Sequence, residues 1–199
     1  ELLLYMLQQQ RMYSVLIFSR TKRRADRICR KLKKSGITAA AIHSDRTQSQ
    51  RLKALDGFKR GKYQVMVATD IAARGINVED ISHVFNFDVP KFPEDYVHRI
   101  GRTGRAKATG DAITFVSEDE VEHIHKIERF IETKFEGQYY EGFEYEEKVT
   151  LTSAPKKKTG RKKLGSSQRK RKKAQQHTNK SKSPKNADNS KSYGKKTKS

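Results

Sequence analysis

His98-Arg99-Ile100-Gly101-Arg102-Thr103-Gly104-Arg105 sets three arginines and a histidine among two glycines and a threonine. A guanidinium is a planar fork of donors whose geometry matches phosphate oxygens. A glycine lets the backbone come close to a bulky ligand. A fork repeated at 99, 102 and 105 has the form of a polyphosphate clamp. A solvated basic loop, the ordinary fate of a charge run, has no use for the glycines or for the leading histidine.

The chain around this octapeptide reads as alternating strands and helices. Just upstream, Pro93 stands where the first residue of a helix belongs, with Glu94 and Asp95 in its first turn. Short apolar runs at 14–18, 38–42, 64–68, 82–87 and 111–116 predict five strands. Thr21 caps a predicted helix to about Ser35, with Ala25, Ile28, Cys29 and Leu32 on one face and Gly36 as its stop. Thr47 caps another, with Leu52, Leu55 and Phe58 as the stripe and Gly61 as the stop. Ser117 opens a third, to about Phe135, with Val121, Ile124, Ile127, Phe130 and Ile131 facing the core. Leu2, Leu3, Leu4, Met6 and Leu7 suggest the end of an amphipathic helix. Such alternation implies an α/β fold, a parallel sheet with helices on both faces. Ligands of such sheets sit at the carboxyl ends of the strands, and every charged cluster of interest follows a strand.

Composition divides the 199 residues unevenly. Residues 1–149 hold 26 Lys+Arg against 22 Asp+Glu, whereas residues 150–199 hold 18 against 1. The first part is a nearly balanced globular domain and the last fifty residues are a polycation. The expected boundaries are a domain over 1–136, an acidic and aromatic extension over 137–152 (Tyr139, Tyr140, Phe143, Tyr145), and a basic tail over 153–199. That tail has too little apolar surface to offset its ordering entropy, so disorder is expected. Cys29 is the only cysteine, which excludes an internal disulfide and fits a reducing compartment. No apolar run approaches the ~20 residues of a membrane span. Glu1-Leu-Leu-Leu lacks the basic n-region and cleavage site of a signal peptide, and the chain is expected to begin inside a longer protein. His123-Ile-His125 is not a metal site, because residues i and i+2 of a helix do not face each other and no carboxylate or cysteine constellation joins them.

The octapeptide resembles motif VI of the DEAD-box RNA helicases letter for letter. Further stretches resemble the same family in the family's order. Phe18-Ser-Arg-Thr21 resembles motif IV. Ser44-Asp-Arg-Thr-Gln-Ser-Gln-Arg51 resembles the segment around motif IVa, with its Gln-x-x-Arg at Gln48 and Arg51. Ala68-Thr-Asp-Ile-Ala-Ala-Arg-Gly-Ile-Asn77 resembles motif V, and Asn86-Phe-Asp-Val-Pro90 resembles motif Va. The resemblance runs from about Leu2 to Phe135 and does not reach the tail; the fit to the bacterial RhlE-like branch is weaker than the fit to the family.

What the resemblance implies is the second RecA-like (P-loop NTPase-type) domain of an ATP-dependent RNA helicase. By resemblance, Arg102 and Arg105 are arginine fingers on ATP, and Gly75 and Asn77 also touch the nucleotide. Family members usually carry aspartate where Asn77 stands, which keeps an acceptor oxygen and loses the charge. Ser19, Thr21, Arg46, Gln48, Arg51, Thr69 and Arg74 fall to the RNA backbone, a mode of contact that reads no sequence. Asp70, Asp88, His98 and Arg99 fall to the interface between domains. The chain contains no G-x-x-x-x-G-K-[ST] and no Asp-Glu-Ala-Asp. ATP with Mg²⁺ is therefore expected on an N-terminal RecA-like domain of the same protein, and this chain alone is expected to be inactive. Implied partners are RNA, that domain, and ribosomal or other ribonucleoprotein particles, in the cytoplasm. Two rivals share the residues: a stand-alone, non-catalytic RNA-binding module on the helicase fold, and a DNA helicase of the wider superfamily, against which His98-Arg99-Ile100 argues.

The tail generates its own test. Each phosphate contact contributes about −0.7 to the slope of log K against log salt on single strands. Deleting 153–199 is expected to weaken RNA binding and flatten that slope in a salt titration. Identical slopes would mean the tail holds no RNA.

Overall fold

The computed structural model describes residues 1–10, 12–74, 81–103 and 110–145. Five parallel strands form one sheet: β1 (Val15–Phe18), β2 (Ala39–Ile42), β3 (Val65–Ala68), β4 (His83–Asn86) and β5 (Asp111–Thr114), in the order β2-β3-β1-β4-β5. Val15 to Phe18 and Val65 to Ala68 are buried throughout. Such runs belong to parallel strands covered on both faces. Side chains alternate along a strand, so Val15, Ile17, Val65 and Val67 face one layer while Leu16, Phe18, Met66 and Ala68 face the other.

The first layer holds α1 (Leu2–Gln9) and α2 (Lys22–Lys34), which bury Leu3, Met6, Leu7, Ile28, Cys29 and Leu32 against the sheet. Burial pushes the Cys29 thiol pKa up, as for an inert core thiol. The opposite layer holds α3 (Gln48–Lys59) and α4 (Asp70–Ala73), with Phe58, Ala72 and Ala73 inward. A third apolar cluster joins α5 (Pro93–Ile100) to α6 (Val121–Ile131) through Val89, Tyr96, Ile124 and Ile127. The aromatic segment after α6 packs on α1: the Tyr5 ring lies 5.8 Å from that of Tyr140 and 5.7 Å from that of Phe143.

The helix signals act as the sequence predicts at several ends. Thr21 caps α2 by accepting the Arg24 N–H, and Thr47 closes a capping box with Gln50. Gly36 and Gly61 take positive φ at the stops of α2 and α3, where a Cβ is costly. Pro93 is the first residue of α5.

Three expectations need correction. Leu52 is 56 % exposed and Phe130 is 50 % exposed, so neither belongs to its helix's core face. The last helix begins with a 3-10 turn at Glu118–Glu120 and ends at Ile131, short of Phe135. The cause of that early end is Glu128. Its carboxylate is buried and takes the Phe135 N–H at 3.0 Å, Lys134 Nζ at 3.2 Å and the His125 ring at 2.9 Å. These bonds hold Glu132 in the left-handed region at φ 54°, which costs a non-glycine residue roughly 1–2 kcal/mol. The basic tail over 153–199 and its predicted disorder lie outside the described residues.

Burial works against the Glu128 charge, but the hydrogen bonds from His125, Phe135 and Lys134 prevail and bring its pKa down to about 2. A depressed carboxylate contributes stability that is complete above its unfolded pKa and is lost as pH falls toward the folded value. Glu128→Gln is expected to cost about 1–3 kcal/mol near neutrality. The gap to the parent chain is expected to close as pH falls from about 4.5 toward 2. Urea unfolding across that range measures both, and a gap that is constant with pH would remove Glu128 from this role.

Candidate nucleotide and RNA interface

The carboxyl ends of β1, β3 and β4 meet at the point where the chain's crossovers change direction. From β1 the chain goes by way of α2 toward β2, and from β3 it passes over β1 to reach β4. Crevices at such switch points are the usual ligand sites of open α/β sheets. Here a cleft of about 230 Å³ is lined by Phe18, Asp70, Ala73, Arg74, Asp95, His98, Arg99 and Arg102.

Arg99 forms its floor. The residue is 2 % exposed and its guanidinium donates to all sides. Nε reaches Asp70 Oδ1 at 2.6 Å and Nη2 reaches Asp70 Oδ2 at 2.8 Å. Nη1 reaches Asn86 Oδ1 at 3.1 Å and the Asp88 carbonyl at 2.8 Å. The guanidinium also lies 5.0 Å from the centre of the Phe18 ring, a cation–π contact. Asn86 in turn donates to Thr114 Oγ1 at 3.0 Å. One arginine thus connects the ends of β1, β3 and β4, with β5 reached through Asn86.

Asp88 performs a parallel task beside it. Its carboxylate takes the Ser19 hydroxyl at 3.2 Å and the Arg20 N–H at 2.8 Å, and pairs with Arg24. Ser19, Asp70, Asp88 and Arg99 therefore make their described contacts inside this domain. Thr103 donates to the Ile81 carbonyl at 2.6 Å. Gly101 ends α5, where an added Cβ would stand 3.1 Å from the Val97 carbonyl. At that position the close approach is to the protein's own backbone.

The other predicted residues ring the same edge. Thr21 is exposed; its hydroxyl accepts the Arg24 N–H at 3.2 Å, which leaves the O–H free to donate. Arg46 bonds Asp26 at 2.7 Å. Burial raises the Asp26 pKa, but His43 and Arg46 bring it below the ordinary carboxylate range. Arg51 donates to Gln48 Oε1 at 3.2 Å and to the Ala72 carbonyl at 3.3 Å, while its Nε is buried without a partner. Arg51 thereby ties α3 to α4. Thr69 precedes α4 with no capping bond from its side chain. Arg74 is exposed and reaches Asp95 at 3.5 Å. His98 and Arg102 both line the cleft, His98 exposed and Arg102 half-buried. Gly75, Asn77 and Arg105 lie outside the described residues.

Phe18, Asn86 and Asp95 belong to the site although sequence reasoning gave them no role. Asn86 had a signal, a polar residue closing an otherwise apolar strand. Phe18 opens the stretch that resembles motif IV, and Asp95 had no signal beyond its neighbours. Among the described residues no group of three or more His, Cys, Asp or Glu could hold a metal ion, and no helix is long and apolar enough to cross a membrane. Replacing Arg99 by lysine keeps the charge and loses the fork. Arg99→Lys is expected to lower unfolding free energy by about 2 kcal/mol or more, since several charged hydrogen bonds go at once. Equilibrium urea unfolding checks this, and a change within about 0.5 kcal/mol, the range of ordinary surface substitutions, would deny Arg99 its central place.

Residues 1–107 match the helicase conserved C-terminal domain family. The chain is 50% identical over 121 residues to the DEAD-box ATP-dependent RNA helicase CshA of Geobacillus kaustophilus, covering 61% of this chain and 26% of that protein. It thus spans about a quarter of the length of the curated relatives it matches. Among solved structures it resembles Escherichia coli SrmB, a DEAD-box protein bound to regulator of ribonuclease activity A. That match has a TM-score of 0.66 and 36% identity, covering 70% of this chain and 82% of that one. It also resembles domain 2 of the DEAD-box helicase Mss116p bound to an RNA duplex. There the TM-score is 0.59 and the identity 27%, covering 64% and 53%.

Proposed function

The chain belongs to the helicase conserved C-terminal domain family, in its DEAD-box branch, and from this we propose that it works as the C-terminal half of a cytoplasmic ATP-dependent RNA helicase. The observation that carries the proposal is the cleft at the strand ends, where His98 stands on the helix that Arg99 locks to the sheet and Arg102 stands in the turn just after it. A guanidinium held there can meet the phosphates of ATP bound to an N-terminal RecA-like domain and stabilise charge in the transition state. Arg105, Gly75 and Asn77 join the nucleotide side in the same reading. His98 faces the partner domain. Asp70, Asp88 and Arg99 act there indirectly, by fixing the surface that the partner meets.

RNA lies along the ring of Ser19, Thr21, Arg46, Gln48, Arg51, Thr69 and Arg74. Hydroxyls, guanidiniums and backbone N–H groups at helix starts take phosphates without reading bases. Mss116p, whose domain 2 is bound to an RNA duplex, supports that use of the fold. Mg²⁺ does not fit the described residues, which offer no donor set for it, and no step of the proposal runs through the metal.

The test uses the protein carrying both domains. Arginine fingers in nucleotide hydrolases contribute roughly 10³–10⁵ in rate. Arg102→Ala is expected to lower RNA-stimulated ATP turnover on that scale, and Arg102→Lys, a point charge without the fork, is expected not to restore it. This chain alone is expected to bind RNA without hydrolysing ATP. Turnover by the isolated chain that Arg102→Ala abolishes would overturn the half-enzyme reading. Near-normal turnover of Arg102→Lys in the two-domain protein would overturn the finger.

A further inference from the structure

α2 carries eight Lys and Arg and a single acid over Lys22–Lys34. The other long helices mix their signs and pair them along the helix, Asp56 of α3 with Arg60 at its C-terminal cap and Glu122 with Lys126 on α6. On α2 the one acid, Asp26, turns to His43 and Arg46. Lys22, Arg24 and Lys31 pair with Asp45, Asp88 and Glu1. Arg23, Arg27, Arg30 and Lys34 are exposed and have no carboxylate within 4 Å among the described residues. Their spacing of four, three and four residues sets them in one row opposite the buried face of Ala25, Ile28, Cys29 and Leu32.

Such a row works against the helix that bears it. Like charges three and four apart repel. Lys22, Arg23 and Arg24 occupy the first turn, which holds no acid, although the helix dipole favours acids there. A merely solubilising face needs neither feature.

We infer that the Arg23–Arg27–Arg30–Lys34 row is a second RNA contact, which takes the phosphate backbone of an RNA arm leaving the strand-end cleft along α2. The row extends about 16 Å at 1.5 Å per residue. A duplex presents one charge per about 1.7 Å of axis with both strands counted, so roughly ten phosphate charges lie along the length of the row. It starts two residues after Thr21, at the edge assigned to RNA above, so an arm that leaves that edge meets the row without a break. This inference rests on the RNA reading of the cleft and extends the footprint beyond its motif residues.

The experiment compares the full chain with its Arg27→Gln/Arg30→Gln/Lys34→Gln variant, with the basic tail present in both. The probes are a six-nucleotide single strand and a hairpin with a duplex arm of about twenty base pairs. Three lost phosphate contacts correspond to a slope of log K against log salt shallower by about 2 to 3. That change is expected with the hairpin, while binding of the six-mer stays the same. The thermal midpoint is expected to hold or rise, because repulsion along α2 is relieved. If the triple variant unfolds, the single changes Arg30→Gln and Lys34→Gln carry the comparison, at about 0.7 to 0.9 of slope each. An unchanged hairpin slope overturns the inference. Loss of poly-glutamate binding with an unchanged hairpin slope also overturns it, and gives the row to an acidic protein. Failure of the unaltered chain to bind either RNA would instead remove the RNA reading of the cleft.

Discussion

A guanidinium can be buried only where acceptors surround it, because an unpaired charge taken out of water is lost stability. Arg99 meets that condition with a carboxylate that begins α4, an amide that ends β4 and a carbonyl just beyond it. The ends of β1, β3 and β4 converge on Arg99. Arg99 sets their spacing, and Asp88 extends the constraint to the start of α2 through Ser19, Arg20 and Arg24. His98 and Arg102 flank Arg99 in sequence, so their positions follow from its own. A site held this way needs little rearrangement when a ligand arrives, which is what electrostatic stabilisation of a reacting phosphate requires.

The strands and most helix ends were legible in the sequence, since their signals are local. Val15 to Phe18 is apolar without alternation because both faces of the sheet are covered. Thr21, Thr47, Gly36, Gly61 and Pro93 act through their own backbone chemistry. The failures depend on neighbours that no local pattern contains. Leu52 and Phe130 fit a helical stripe, yet about half of each is left exposed. α6 stops at Ile131 because Glu128 captures the Phe135 N–H, a bond between residues seven apart. The site shows the same division. Its arginines and threonines stand out by residue type and spacing, but Arg99 floors the cleft and Arg102 lines it only because Asp70 and Asn86 converge on one of the two.

Charge on the helices divides by what each has to face. On α5 the acids Glu94 and Asp95 occupy the first turn and His98 and Arg99 the last, in accord with the dipole. α2 departs from that pattern at its start, where Lys22, Arg23 and Arg24 fill the first turn and no acid of the helix itself stands among them. Stability alone favours the first pattern. The second is sensible where a polyanion supplies the missing negative charge, and it lies on the helix whose start carries Thr21.

The threonines at the helix starts show how fold and proposed function can share a residue. A capping hydroxyl accepts from a backbone N–H through one lone pair, and its own proton is not consumed. Thr21 and Thr47 therefore end their helices properly while keeping a donor for a phosphate oxygen. Aspartate caps as well but brings a negative charge and no donor, which would repel the backbone it is meant to hold. Thr69 makes no capping bond at all, so both the donor and the acceptors of its hydroxyl stay available at the edge of the cleft. The order matters: the helix starts are fixed by the sheet, the hydroxyls by the helix starts, and the RNA path proposed here by the hydroxyls.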